Sequence, residues 1–487
     1  MHRTVAISNR VPDFEHGDAC VGGLAVGLRA ALEQSGGTWL GWSGRTASPP
    51  SDTLGIGKAG PFTLATFDLS DPEHARYYQG FANRTLWPLL HGRTDLVAFD
   101  SAELATYLGV ARKFARHAMR LIERSDLVWV HDYHLIPVAQ HLRRLGVTSP
   151  LGFFLHTPFP TTDVLVSLRC HRDLFAGLAA YDLIGFQTEA DLGNFRDYVV
   201  RELGGDVVNR QHVILAGRRI RVGAFPIGID ARHFAALGVS ADRLEVRRHL
   251  DSCLEGRLAI VGADRLDYTK GIPQRLLAYE RLLDSEPGYR GRTSLVQIAA
   301  PSREGITEYQ HCRSELEALS GRINARYGEF GWTPVRYFNR SFGHSFLAAL
   351  FRCSRVGLVT PLRDGMNLVA KEYLAVQDPT DPGVLVLSRF AGAAEQLKSA
   401  VLVDPNDIGG IARALKSALA MPLDERRARW EVAMAGIREH DIHSWCRSFL
   451  LALRHTRTGA QSRAGTRSTG ILRPVRAIPQ TTAVGLQ

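Results

Sequence analysis

The sequence predicts an α/β protein built from two doubly wound parallel sheets. Short β-branched runs alternate with longer segments of helical period, the rhythm of strand, crossover helix and parallel strand. Most of these runs are nearly continuous in Val, Ile and Leu, as strands covered by helices on both faces require. A chain of 487 residues also exceeds one ordinary domain.

The elements follow in order. Thr4–Ser8 opens a first series that continues through Leu127–Val130, Leu151–Leu155, Leu183–Phe186 and Val222–Phe225. Pro226-Ile227-Gly228 closes that series and is the predicted hinge, because a polar helical segment intervenes before the next strand. The second series runs Leu258–Gly262, Ser294–Ile298, Val335–Phe338, Val356–Val359, Val384–Leu387 and Val401–Val403. Domains are therefore expected over 1–229 and 230–455. Whether the helical region around Arg426–Leu453 packs back on the first domain is left open. Residues 456–487, rich in Ser, Thr and Gly, form a basic tail in which disorder is expected.

Composition narrows the function classes. With 45% hydrophobic, 22% charged and 8% aromatic residues, the disordered, collagen-like and disulfide-stapled classes are excluded. The net charge is +10, but Arg457, Arg463, Arg467, Arg473 and Arg476 place half of that excess in the tail. The remainder suits anionic small ligands; no basic block with interleaved aromatics appears, so nucleic acid is not an expected partner. Cys20, Cys170, Cys253, Cys312, Cys353 and Cys446 are scattered without CxxC spacing, which points to free thiols in the cytoplasm. The apolar run Val5–Ile7 is too short for a signal segment, and no stretch of about 18 apolar residues predicts a membrane span. Self-association is left open.

Two motifs mislead. Gly55-Ile56-Gly57-Lys58-Ala59-Gly60 satisfies GxGxxG, but Pro61 and an alternating Phe62–Leu69 run follow where the dinucleotide fingerprint needs a helix; a glycine-rich turn is expected instead. His131-Asp132-Tyr133-His134 places two imidazoles beside a carboxylate, yet no further ligand cluster supports a metal. There is also no Asp-x-Asp pair. A diphosphate would have to be neutralised by protein cations, and no metal or other cofactor is expected.

Ligands of open parallel sheets bind beyond the carboxyl ends of the strands. In the first series those positions hold Ser8-Asn9-Arg10, His131 to His134 and His156; in the second they hold Arg265 and Lys270, Ser302-Arg303 and Arg363-Asp364-Gly365. Two polar crescents imply a cleft. Arg265 and Lys270 can hold a diphosphate, the forked guanidinium and the compact ammonium together stabilising a leaving group, although a surface Arg–Asp–Lys ion-pair loop would read the same way. Thr360 to Glu372 reads as strand end, Gly turn and helix start, whose free amides near Asn367–Val369 favour an anion while Asp364 accepts from sugar hydroxyls. Glu372, one turn on, can take two ribose hydroxyls or merely favour the helix dipole. Gly22 and Gly23 form another Gly turn before a helix.

Taken together, Ser8-Asn9-Arg10, Gly22-Gly23-Leu24, Gly41-Trp42-Ser43-Gly44, Leu86-Trp87-Pro88, His131-Asp132-Tyr133-His134, Phe154 to Pro160, Gly185-Phe186-Gln187-Thr188, Arg265 to Gly271 and Arg363 to Leu368 give the chain a resemblance to the trehalose-6-phosphate synthase family, from about Thr4 to about Leu453. The resemblance implies a GT-B fold, two Rossmann-like domains facing a cleft, and transfer of glucose from UDP-glucose to glucose 6-phosphate with retention, giving trehalose 6-phosphate and UDP. It implies an acceptor site of Arg10, Tyr78, Trp87, Asp132 and Arg303, with both arginines on the phosphate. It puts Gly22 and Gly23 near the donor, Arg265 and Lys270 on the diphosphate, and His156 and Asp364 around the transferred glucose. Arg265, Lys270, Asp364 and His156 would form the catalytic group. Phe342, Leu368, Val369, Ala370, Lys371 and Glu372 would bind the donor. A sibling using glycerol 3-phosphate and a catalytically silent sugar-phosphate sensor are the rival readings.

Overall fold

The computed structural model describes residues 3–12, 23–48, 52–243 and 245–461. Two sheets organise it. The first contains β1 (Thr4–Arg10), β2 (Gly37–Thr46), β3 (Gly55–Ala59), β4 (Phe62–Leu69), β5 (Leu127–His131), β6 (Leu151–Phe154), β7 (Leu183–Phe186), β8 (Asp206–Asn209), β9 (His212–Leu215) and β10 (Arg218–Ala224). The second contains β11 (Leu258–Arg265), β12 (Thr293–Ala300), β13 (Val335–Phe338), β14 (Val356–Val359), β15 (Val384–Ser388) and β16 (Val401–Val403).

The second sheet is parallel throughout and ordered β13-β12-β11-β14-β15-β16, the 3-2-1-4-5-6 order of a Rossmann sheet. Within the first sheet, β4-β2-β1-β5-β6-β7 repeats the same parallel order. The order in which the chain adds strands, though not their direction, therefore reverses between β1 and β5 and between β11 and β14. These switch points open the crevices in which Arg10, Asp132, Arg265 and Asp364 end their strands or follow them.

The first sheet is longer than the apolar runs predict, because two hairpins extend it. Gly55–Ala59 is an edge strand antiparallel to β4, and only Gly60, at φ 62°, lies in the turn expected of the whole glycine motif. At the other edge β8 and β9 are antiparallel; β8 is exposed throughout and β9 alternates, with Val213 and Leu215 buried and Ile214 exposed, so the pair does not read as covered parallel strands.

The chain crosses between the sheets twice. After β10, the segment through Pro226 and Gly228 leads to the helix Ala231–Ala241, which packs on the second domain with Gly238 against the Val376 backbone. The helix Leu423–Glu439 also stays there, its Trp430 indole donating to Leu374 O at 2.9 Å. The final helix, Ile442–Gln461, returns to the first sheet: Phe449 stacks on Trp129 at 4.7 Å and 13°. A methyl group at Gly152 or Gly185 would lie within 2.9 or 2.7 Å of that ring, which is why small residues sit in two otherwise apolar strands. The two crossings touch, with Ile442 N donating to Ile229 O at 3.1 Å and Gly228 too close to His440 O for any side chain. The last helix continues past residue 455 to Gln461, so the tail expected from 456 begins as helix; residues 462–487 lie outside the described residues.

Candidate active site

The second-domain wall of the cleft is built from the end of β11. Arg265 is exposed there, its guanidinium 5.7 Å from the centre of the Trp87 ring. Beyond it Asp267 caps a short turn, Tyr268–Lys270, by accepting from Thr269 N at 3.0 Å. Gly271 follows at φ 64°, and a Cβ there would fall 2.3 Å from Thr360 O, so the turn can press against the end of β14 only with glycine. Buried Arg275 secures the same turn, donating to Lys270 O at 2.9 Å and Thr360 Oγ1 at 3.0 Å while pairing with Asp264.

The consequence is a fixed Lys270. Its ammonium meets Asp364 Oδ2 at 2.5 Å, and Asn367 Nδ2 donates to the same oxygen at 3.1 Å. Burial would raise the Asp364 carboxyl, but Lys270 and the neighbouring His91 and Arg265 hold it below the usual carboxylate range. Asn367, at φ 71°, caps the helix Leu368–Ala375 by accepting from Ala370 N. That leaves the Leu368 and Val369 amides as the open donors of this start, while Ala370 is buried and its amide taken. The side chain of half-buried Glu372, with no hydrogen-bond or ion-pair partner among the described residues, is pushed up to about 7 by burial. Phe342 stacks on Phe346 at 4.3 Å, with Arg340 4.5 Å above its ring.

The Lys371 side chain does not join this group. It is buried, donating to Ile227 O at 2.7 Å and Gln396 Oε1 at 2.6 Å, and burial pulls it down to about 7. Its side chain thus reaches the domain crossing while its backbone stays in the helix start expected to bind the donor: helix position fixes where a residue sits, not which way a long side chain runs.

The first-domain wall is aromatic. Arg10, exposed at the end of β1, lies against Gly44, which at φ 90° leaves the space its guanidinium occupies, and 5.9 Å from the Trp42 ring. Tyr78 stacks on His134 at 5.9 Å and His74 at 5.5 Å. It is carried by a π-helical segment, His74–Leu86, broken at Gly80, where the Glu103 carboxylate occupies the position of a Cβ. Trp87 follows, buried, with an indole N–H that finds no partner among the described residues and Arg303 3.9 Å above its ring.

Asp132, at φ 73°, accepts from His156 N at 3.1 Å, and burial raises its carboxyl to about 6. His156 is itself lowered to about 3 by burial, so its imidazole is neutral near pH 7. It lies 3.2 Å from His131 Nδ1 and 3.5 Å from Gln187 Nε2. The walls meet here: a Cβ at Gly365 would be 1.9 Å from His156 O. Arg303, at φ 51°, joins them again, donating to Tyr133 OH at 3.2 Å and pairing with Asp267.

The structure thus brings together Arg265, Lys270, Asp364, His156, Asp132, Trp87 and Arg303. Arg10 and Tyr78 adjoin them through Trp42 and His134. Gly23 opens the helix Gly23–Ser35, and Gly22 lies outside the described residues. Among the described residues no group of three potential ligands forms a metal site at His131 to His134 or elsewhere. Sequence reasoning gave no role to Asp267, Tyr133 or Tyr309. Asp267 and Tyr133 sat inside quoted motifs without a role of their own, and Tyr309 has no spacing that signals it.

Two Rossmann-ordered domains closing on a cation-lined cleft define a GT-B glycosyltransferase. The chain belongs to glycosyltransferase family 20, whose model matches residues 10–455. A trehalose-6-phosphate synthase of Sinorhizobium fredii is 46% identical over 453 residues, 92% of this chain and 98% of that protein. An alpha,alpha-trehalose-phosphate synthase (UDP-forming) from Burkholderia xenovorans, solved in complex with glucose-6-phosphate, is 45% identical with a TM-score of 0.90, covering 93% of this chain and 100% of the other. An E. coli protein solved with UDP-2-fluoro glucose bound is 42% identical with a TM-score of 0.87, covering 93% and 98%.

Proposed function

We propose that this chain transfers glucose from UDP-glucose to glucose 6-phosphate with retention at the anomeric carbon, releasing α,α-trehalose 6-phosphate and UDP. One observation carries the reading: two arginines of the opposite domain gather at the Trp87 ring, Arg303 at 3.9 Å and Arg265 at 5.7 Å, with the Lys270–Asp364 pair on the same wall of the cleft. Two anionic groups can therefore be held at one aromatic surface. The relatives solved with glucose-6-phosphate and with a UDP-glucose analogue support assigning those two places to acceptor and donor.

In this reading Arg265 and Lys270 take the diphosphate, the Leu368 and Val369 amides and Glu372 meet the nucleotide end, and Phe342 flanks it. Arg303, Arg10, Tyr78, Trp87 and Asp132 hold glucose 6-phosphate. Asp364 and neutral His156 face the transferred glucose as hydrogen-bond partners. Charge grows on the departing phosphate oxygen as the glycosidic bond breaks, and fixed cations stabilise that charge without reorganising. The same oxygen takes the acceptor proton. Asp364, held ionised against Lys270, is a poor base, and His156 is too deeply neutral to shuttle as a cation. With Arg265 and Lys270 in place of a carboxylate-held ion, the reaction needs no metal.

No helix among the described residues is long and apolar enough to cross a membrane. Cys170, Cys253, Cys312, Cys353 and Cys446 are free thiols, which supports a cytoplasmic setting. The test is product analysis: the purified chain with UDP-, ADP- or GDP-glucose, offered glucose 6-phosphate or glycerol 3-phosphate, with and without EDTA. Trehalose 6-phosphate from UDP-glucose, undiminished by EDTA, is expected. A glycerol adduct or no product overturns the assignment.

A further inference from the structure

Between the two proposed subsites lies a carboxylate that neither substrate needs to touch. Asp267 is fully buried, and its two oxygens face different duties. Oδ1 accepts from Thr269 N at 3.0 Å and from Thr269 Oγ1 at 2.9 Å, which fixes the turn bearing Lys270. Oδ2 receives Tyr309 OH at 3.1 Å and Arg303 Nη1 at 3.4 Å, and Tyr309 OH also contacts Arg303. Arg303 needs that support. It occupies a left-handed backbone conformation, its side chain is only 5% exposed, and its Nε finds no partner among the described residues. From there it spans the cleft to Tyr133 and the face of Trp87.

We infer that Asp267 is a positioning residue that sets the arginine of the acceptor subsite and the lysine turn of the donor subsite in register with each other, with Tyr309 as its second arm. The inference rests on the reaction proposed above. Electrostatics agree with it: burial alone would raise this carboxyl, but Arg303, Lys270 and Arg265 hold it below the ordinary carboxylate range. A carboxylate serving only the turn would need one oxygen. Here the second oxygen is committed to a cation that reaches into the other domain.

Substitution separates the two duties. Asp267→Asn keeps an oxygen for Thr269 but turns an NH2 group toward Arg303, donor against donor, and takes away the acceptor of the Tyr309 hydroxyl proton. Its KM for glucose 6-phosphate should rise about tenfold, the size of losing a charge-assisted hydrogen bond. Turnover and the KM for UDP-glucose should stay within about twofold, because the turn remains capped. Tyr309→Phe should raise the same KM about threefold. Asp267→Ala should also depress turnover. The experiment is steady-state kinetics against both substrates for wild type and the three variants, with thermal melts alongside. An unchanged glucose 6-phosphate KM in Asp267→Asn contradicts the inference, as does equal loss in every parameter accompanied by a lower Tm. Should Asp267→Asn fail to fold, Tyr309→Phe decides by the same criterion. Wild type that forms no UDP from this substrate pair overturns the proposed reaction and the inference with it, whereas an active wild type with unaltered variants overturns the inference alone.

Discussion

The two walls of the cleft solve one problem with different materials. The second-domain wall places charge through short, mutually braced loops: Asp267 caps the turn, Arg275 ties it to Thr360, and Lys270 emerges 2.5 Å from Asp364. The first-domain wall places aromatic surface and neutral imidazoles: Tyr78 on His134, Trp87 beneath Arg303, and His156 beside His131. Burial drives His131 and His134 well below the ordinary imidazole value, so these rings add almost no charge near pH 7 and leave Arg10 and Asp132 as the charged groups of this wall. The lesson is a division of labour. Charge is preorganised where a leaving group develops it, and shape is preorganised where a second substrate must be oriented.

The largest effect that can break this contrast is on turnover. Arg265→Ala should lower kcat by about two to three orders of magnitude with a smaller change in the UDP-glucose KM, as measured by UDP release, because the lost stabilisation belongs to the transition state. A purely aromatic alteration should read differently. Trp87→Ala removes the surface shared by Arg303 and Arg265 and should raise the glucose 6-phosphate KM about tenfold, with Trp87→Phe recovering part of the loss. If Trp87→Ala instead depresses kcat as far as Arg265→Ala does, the division between the walls is wrong.

The smallest effect concerns pH and stability. Glu372 is raised from 4.5 to about 7 by burial, so the folded state holds a proton that the unfolded chain releases, and its contribution falls as pH rises from about 4.5 to 7. Lys371 is lowered from 10.5 to about 7, so the unfolded chain binds the extra proton, and stability recovers as pH rises from about 7 to 10. Thermal melts across pH should show Glu372→Gln flattening the first limb and Lys371→Met the second. Unchanged slopes would refute the burial of these neighbours.

What the sequence made legible follows the same contrast. Nearly continuous apolar runs marked β1, β5 to β7, β11, β12, β14 and β15, because fully covered parallel strands leave that imprint, whereas β10, β13 and β16 are only partly covered. The β8–β9 hairpin, exposed along β8 and alternating along β9, lacks that imprint. In the site, Arg265, Lys270 and Asp364 were readable because each lies at, or a short turn beyond, the carboxyl end of a buried strand. Tyr78 and Trp87 were not, since an aromatic on an irregular helix has the pattern of a core residue; only the family resemblance singled them out. The inward turn of the Lys371 ammonium to Ile227 O could not be read from its helix position, and Tyr309 stayed hidden because its partner Asp267 lies far away in sequence.

The central claim is that cations of one wall act on the leaving diphosphate while Arg303, braced between the walls, holds the acceptor phosphate. Its most direct test sets Lys270→Ala beside Arg303→Ala in one kinetic experiment that varies each substrate. Lys270→Ala should lose kcat, and Arg303→Ala should chiefly raise the glucose 6-phosphate KM. Wild-type kcat in Lys270→Ala, or an unaltered KM in Arg303→Ala, would contradict the account.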